Sequence, residues 1–243
     1  MLNKTRMNNG FQRNKRSNSK RFSHGLSIVE LLIGSAIGLF ILAGASAMFV
    51  NNITNSRLLL LETRINQDLR STLDLITRDL RRGAYWGNSL AGTLATGSNS
   101  TTQPNPYSDV TLGGTTEIDY TYTRDAVEND TLNSSTEQFG FRFDTTNNAM
   151  QMNIGGSWQT LTNTDILSIT AFTITPAETT IDVRAACAKP CTDTLLAPTC
   201  PRVQVRSYNM VLTGTSKIDA AVTRTLQSQV RVRNDAMSGT CPA

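Results

Sequence analysis

The feature that most constrains this chain is an apolar run from Gly25 to Val50, GLSIVELLIGSAIGLFILAGASAMFV. Residues 31–50 carry no charge, and twenty residues span about 30 Å as a helix, the thickness of the hydrocarbon core of a bilayer. A secretory signal has a shorter apolar core followed by a small-residue cleavage site. Because helix-compatible sequence continues here for about thirty more residues, we expect the run to be a retained membrane anchor.

The segment before this run is basic and polar. Residues 1–25 hold seven Lys or Arg residues and no acid, which leaves 16 basic and 19 acidic residues in the remainder, a net charge of −3. This bias predicts that the amino end stays in the cytoplasm and that the rest lies across the membrane. The acidic balance of the remainder argues against a nucleic-acid partner.

One acid, Glu30, lies near the start of the apolar run. A carboxylate at the centre of a membrane helix costs about 3 kcal/mol on insertion scales. Two interpretations therefore stay open. Either Glu30 lies near the cytoplasmic interface and reaches water, or it has a specific cationic partner.

The stretch GLSIVELLIG resembles the processing site of type IV prepilins and pseudopilins, in which a glycine, a short apolar tetrapeptide, a glutamate and a long apolar helix follow a basic leader. The resemblance implies that a membrane-embedded prepilin peptidase cuts between Gly25 and Leu26 and N-methylates the new terminus. It also implies that Glu30 pairs with the terminal amine of its own or an adjacent subunit, which offsets the desolvation of both charges. The chain departs from the family in Leu26 and Ser27, where Phe and Thr are usual. Its leader is also long unless Met7 is the true start.

Two glycines inside the run, Gly34 and Gly38, form a small-xxx-small pair. Such pairs let helices approach closely in membranes, so we interpret these residues as a helix-packing site. The alternative is that glycine is merely tolerated in a membrane helix.

Beyond Asn52 the sequence becomes amphipathic. Apolar residues recur at spacings of three and four, namely Leu58, Leu61, Ile65, Leu69, Leu73, Ile76 and Leu80. This pattern predicts one continuous helix from Leu26 to Arg82, with a transmembrane half at 26–50 and an amphipathic half at 51–83, ended by Gly83. A coiled-coil stalk is the alternative.

The predicted helix end, TRDLRRGAYWGN at 77–88, is similar to that of PilW-type minor pilins. The matching positions are Asp79, Leu80, Arg81, Tyr85 and Gly87, while Asn88 stands where that group often has a cysteine. The resemblance identifies the chain as a PilW-type minor pilin of a type IV pilus. The J-type pseudopilin of type II secretion shares this layout.

Residues 84–243 are predicted to form a β-rich periplasmic head. After a polar loop at 88–108, alternating patterns predict about seven strands, joined in part by turns at Asn147-Asn148 and Gly155-Gly156. The strands are centred on Tyr120 and Phe141 and then cover 149–154, 157–161, 166–175, 203–213 and 222–233. The expected fold class is α+β and pilin-like, with a long N-terminal helix packed on an antiparallel β-sheet.

Four cysteines lie in the last quarter of the chain, Cys187, Cys191, Cys200 and Cys241. An even number in a domain that faces an oxidising compartment favours disulfides, and three connectivities are possible. Free thiols are less favoured, and so is a metal site, because the paired C-x2-C spacing of zinc sites is missing.

The residues of the head do not suggest catalysis. The only histidine, His24, lies in the leader, and neither G-x-S-x-G nor a P-loop is present. We therefore expect neither an enzyme nor a cofactor. The acidic stretch DAVENDTLN at 125–133 could supply oxygens to calcium, but it lacks the EF-hand spacing, so a solvated loop is favoured.

These patterns predict a minor pilin that helps initiate assembly of a type IV pilus and is incorporated into it. The implied partners are prepilin peptidase, other minor pilins, the major pilin and the inner-membrane assembly platform. The expected location is the inner membrane, as a single-pass protein with its head in the periplasm, and then the pilus at the cell surface. The alternatives are a J-type minor pseudopilin and a membrane-tethered adhesin or DNA-uptake subunit that uses loops 88–108 and 185–201.

Overall fold

The chain divides into two compact units between Ile53 and Thr54. A computed structural model describes residues 25, 27–93, 103–192 and 199–242. The predicted leader, apart from Gly25, therefore lies outside the described residues, as does Leu26.

The helix α1 (Ile28–Leu80) contains 53 residues and begins just after Ser27. In the first unit its side chains are exposed, including large apolar ones such as Phe40 at 82%. Within the described part of the chain, this is the one helix long and apolar enough to cross a membrane. That finding is consistent with membrane anchoring.

In the second unit, the apolar stripe of α1 becomes part of a core. Five of its members are buried, Ile65, Leu69, Leu73, Ile76 and Leu80, whereas Leu58 is exposed and Leu61 is partly buried. Full burial of an aliphatic side chain stabilises a fold by about 1.5–3 kcal/mol, so this stripe is a main source of helix–sheet packing. The helix ends at Leu80, two residues before the predicted end, and Ala84 in the following turn has a positive φ of 59°.

The first sheet is a five-stranded antiparallel meander in the order β1-β2-β3-β4-β5. Its strands are β1 (Val110–Leu112), β2 (Glu117–Thr121), β3 (Gln138–Asp144), β4 (Ala149–Ile154) and β5 (Ser157–Thr160). A four-residue helix, α2 (Ser134–Glu137), precedes β3. Alternation places Tyr120 and Phe141 in the core, and the predicted turns before β4 and β5 are present.

The other strands form two further antiparallel sheets. They are β6 (Leu167–Pro176), β7 (Thr179–Asp182), β8 (Arg202–Val205), β9 (Ser207–Ser216), β10 (Thr223–Arg231) and β11 (Ala236–Ser238). The second sheet has the order β10-β9-β6, and the third has the order β11-β8-β7. The described residues thus contain eleven strands instead of about seven.

The prediction of a single strand at 203–213 is wrong. This part of the chain forms two strands, and they belong to different sheets. Arg206 lies at the break and is only 5% exposed. Its guanidinium donates to the carbonyl oxygens of Ser108 (2.6 Å) and Asn234 (3.3 Å). These bonds fix the chain where it passes from the third sheet to the second.

The core of the second unit is formed by α1 together with the first and second sheets. At Gly214 of β9 the helix packs tightly against the second sheet, because a Cβ built there would lie 2.9 Å from Cδ2 of Leu69 and 2.7 Å from Cδ1 of Leu167. A long N-terminal helix packed on antiparallel strands confirms the predicted α+β, pilin-like fold class.

Candidate functional site

The amino end of α1 is held by a reciprocal pair of hydrogen bonds. The Ser27 amide donates to Oε2 of Glu30 (3.2 Å), and the Val29 amide donates to Oγ of Ser27 (3.4 Å). The Ser27 carbonyl also accepts the first helical bond, from the Leu31 amide (3.1 Å). Ser27 and Glu30 have the spacing of a capping box, with the serine hydroxyl accepting from the second helical amide instead of the third, and these bonds set the start of the helix.

The position of this cap bears on the predicted processing site. Gly25 is exposed and lies three residues before Ile28, the first helical residue. Gly25 itself therefore precedes the helix α1. Leu26, the other predicted processing residue, lies outside the described residues.

Glu30 has a partner within its own chain in this structure. Its carboxylate accepts from the Ser27 amide. It lies in the first turn of α1, where a negative charge interacts favourably with the helix dipole. The predicted pairing with the amine of Leu26 stays a prediction, because that residue is not described. Sequence reasoning missed the cap, although the S-x-x-E spacing is a known signal.

Gly34 and Gly38 lie on an open part of α1. A Cβ built on either glycine meets no atom within 4 Å in the described parts of the chain. Their predicted role in helix packing stays a prediction.

The other end of α1 is bound to the first sheet through a buried acid. Asp79 accepts from the hydroxyl of Tyr120 at 2.6 Å and from that of Tyr122 at 3.4 Å. Arg82 pairs with the same carboxylate at 3.4 Å and lies over the Tyr122 ring at 4.6 Å. Asp79 is 7% exposed, so this network supplies the hydrogen bonds that a buried carboxylate requires.

The same network shifts the two tyrosines. Burial raises the pKa of Tyr122 to about 12, and the negative charge of Asp79 adds to this effect. Burial, followed by the charge of Asp79, raises the pKa of Tyr120 well above its ordinary value. Both phenols therefore stay protonated and can donate at neutral pH.

The turn after α1 is held by the acidic stretch 125–133. The indole nitrogen of Trp86 donates to Oδ1 of Asp130 (2.6 Å), and the Gly87 amide donates to Oε2 of Glu128 (2.8 Å). Asn88 donates to the other oxygen of Asp130 (3.2 Å). Two acids of the expected solvated loop thus hold residues 86–88, which follow the turn after the helix.

The hydrogen bonds to Glu128 also affect its charge state. Burial opposes ionisation, but the amides of Gly87 and Asp130 together with the Tyr107 hydroxyl lower the pKa of Glu128 on balance. Within the described ranges, no group of three or more His, Cys, Asp or Glu residues is arranged to hold a metal ion. The calcium alternative gains no geometric support from these residues.

The four cysteines form two disulfides, as the sequence favoured. Cys187 pairs with Cys241, and Cys191 pairs with Cys200. The first bond joins the segment after β7 to the carboxyl end of the chain, and the second closes a short loop. Parts of the two loops predicted as contact surfaces, residues 94–102 and 193–198, lie outside the described residues.

Comparison with known proteins gives one family. A family model described as prepilin peptidase-dependent protein B matches residues 58–232, which is well over half of the chain. No curated protein and no solved structure matched significantly. The matched range includes residues 58–80 of α1, the Asp79 network and all strands from β1 to β10. The chain therefore belongs to the family of prepilin peptidase-dependent protein B and is a pilin-like protein.

Proposed function

We propose that the protein is a PilW-type minor pilin that helps initiate assembly of a type IV pilus and is incorporated into it. The observation that carries this proposal is the start of α1, where an exposed Gly25 lies just outside a helix capped by Ser27 and Glu30. An accessible glycine followed by an acid in the first helical turn fits a substrate of prepilin peptidase, and the family match supports dependence on that enzyme.

The proposed maturation begins with cleavage between Gly25 and Leu26 and N-methylation of Leu26. Residues 1–25 would be removed, residues 26–50 would form the transmembrane half of the helix, and residues 51–83 would form its amphipathic half. Residues 84–243 would form the periplasmic head. After cleavage the Leu26 amine is cationic at neutral pH, and Glu30 is the acid available to neutralise it.

The proposed role is structural and not enzymatic. The exposed apolar side chains of residues 28–53 would pack against helices of other minor pilins and of the major pilin, with Gly34 and Gly38 at the closest approach. The inner-membrane assembly platform would receive the processed subunit. The protein would then move from the inner membrane to the pilus.

A deletion strain complemented with Glu30 variants tests this role. Wild-type protein should restore surface pili. Glu30→Ala should be processed normally but restore fewer than about a tenth of the pili, because an uncompensated amine in the membrane costs more than about 1.4 kcal/mol. Glu30→Gln is the matched variant, since its amide oxygen still accepts from the Ser27 amide but carries no charge.

If Glu30→Gln assembles pili as well as wild type, the charge-pairing role is wrong and capping is the function of Glu30. If the deletion strain keeps its pili but loses type II secretion, the protein is a J-type pseudopilin and the pilus assignment is wrong.

A further inference from the structure

The third sheet differs from the other two in how it is stabilised. Its strands β7, β8 and β11 have only three or four residues each. All four cysteines lie in these strands' flanking segments, so we call the described residues 179–192, 199–205 and 236–242 the disulfide subdomain. The hydrophobic core cluster of the head has no member in this part of the described chain, since its members come from α1, the first and second sheets and their adjoining turns.

Few side chains of the disulfide subdomain are buried. All four residues of β7 are exposed, and every residue of β8 and β11 is at least partly exposed. The residues of the subdomain that are buried are Cys191, Cys200, Cys241 and Pro201. Half-cystines therefore occupy the place that apolar side chains have in the first two sheets.

The two disulfides close loops of very different length. Cys187 follows β7 and pairs with Cys241, which follows β11 and lies 54 residues away in sequence. Cys191 pairs with Cys200, only 9 residues away, within the connection between β7 and β8. Closing the longer loop costs the unfolded chain more entropy, so the Cys187–Cys241 bond constrains the chain more.

The carboxyl-terminal segment packs closely against the residues before β8. The Thr240 amide donates to the carbonyl oxygen of Thr199 at 2.9 Å. Gly239 has a positive φ of 76°, and a Cβ built on it would collide with the carbonyl oxygen of Cys200. The disulfide at Cys241, two residues after this glycine, holds the segment in that position.

The disulfide subdomain meets the rest of the head at Arg206. This buried guanidinium donates to the carbonyl oxygens of Ser108 and Asn234. None of these three residues belongs to the subdomain. The bonds that fix the start of β9 therefore do not depend on the pairing of the third sheet.

We propose that the disulfide subdomain is a redox-sensitive element of the head. The Cys187–Cys241 disulfide keeps the third sheet closed, and its reduction opens that sheet while α1 and the first two sheets stay folded. A small sheet needs a hydrophobic face or a helix to be stable, and small structures with too little core depend on disulfides. Weakly packed elements open below the free energy of global unfolding. The proposal goes beyond the pilus role and does not rest on it.

The redox step uses a dithiol as the reductant. Reduction breaks the S–S bond between Cys187 and Cys241 and forms two thiols, which take up two electrons and two protons from one molecule of dithiothreitol. The dithiothreitol becomes a cyclic disulfide. Because each reduced bond adds two hydrogen atoms to the protein, its intact mass counts the bonds that have been reduced.

Hydrogen–deuterium exchange of the full-length protein in detergent tests the proposal. In the variant Cys187→Ser with Cys241→Ser, the amides of β8 and β11 should exchange at least about thirtyfold faster than in wild type, because the disulfide no longer opposes opening. The amides of β3 and β9 should exchange as in wild type. Wild type reduced with dithiothreitol should show the same pattern, which gives a result even if the variant does not accumulate in cells.

The second disulfide supplies the matched control. Cys191→Ser with Cys200→Ser removes the same number of sulfur atoms but opens only the shorter loop. Its effect on exchange in β11 should be about tenfold smaller, because loop-closure entropy grows with loop length.

Loss of protection confined to the third sheet, in the Cys187 and Cys241 variant and in reduced wild type, supports the proposal. Unchanged protection of β8 and β11 without that bond would overturn it. It would also be overturned if β3 and β9 lost protection by the same factor, or if wild type were reduced only when the whole head unfolds. Equal effects of the two serine pairs on β11 would contradict the role assigned to the Cys187–Cys241 bond.

Discussion

Single residues at the two ends of α1 do most to fix where this helix begins and where it docks. At the amino end, Ser27 and Glu30 form a cap whose S-x-x-E spacing is readable from the sequence. At the carboxyl end, Asp79 was recognisable as part of a motif, but its partner Tyr120 lies 41 residues away. Sequence spacing carries no information on a contact of that separation, so this network required the structure.

The Asp79 network gives a prediction at this scale. Tyr120→Phe removes the 2.6 Å hydrogen bond to a buried carboxylate, and hydrogen bonds to charged groups contribute about 1.5–3 kcal/mol. We expect the free energy of unfolding to fall by that amount, measured as a shift of the urea midpoint of the full-length protein. Tyr85→Phe is the control, because Tyr85 is 47% exposed. A change of less than about 0.5 kcal/mol, the range of ordinary surface substitutions, would contradict this account.

At the scale of elements, hydrophobic periodicity found the long helix and the longer strands. It did not find β1, β7 and β11, which have only three or four residues each and too few alternations to stand out. It also joined β8 to β9, although the alternation shifts by one residue at the boundary, where Arg206 and Ser207 are both polar. Which sheet a strand joins is decided by long-range contacts of this arginine, and the local pattern does not record them.

The turns before β4 and β5 were predicted correctly. The β4–β5 hairpin allows two neighbouring glycines to be compared by substitution. Gly155 and Gly156 have positive φ values of 59° and 84°, where any other residue costs about 1–2 kcal/mol. A Cβ at Gly155 would also collide with the carbonyl oxygen of Ser135, whereas one at Gly156 meets no atom within 4 Å.

We therefore expect Gly156→Ala to lower the free energy of unfolding by about 1–2 kcal/mol and Gly155→Ala to lower it by more than about 3 kcal/mol. The two urea midpoints, measured side by side on the full-length protein, check this. Equal effects would mean that α2 moves aside and that the close packing of Ser135 is not required.

At the scale of the whole molecule, two separate parts of the chain both indicate a pilin-like protein. The resemblance to prepilins rests on residues 25–34, whereas the family match covers residues 58–232 and does not include them. The basic residues 1–25 and the acidic remainder predict an orientation across the membrane, and this stays a prediction. The fold class was therefore accessible from sequence, while the disulfide pairing depended on the structure.

The central claim is that the chain matures as a prepilin, and the mass of the mature protein tests it most directly. The protein is purified from membranes of cells that contain prepilin peptidase, and its intact mass is measured. The account predicts a chain that begins at Leu26 and carries one added methyl group, whether translation starts at Met1 or Met7. Gly25→Ala should keep its leader. A wild-type chain that retains the leader, or that begins at another residue, would contradict the account.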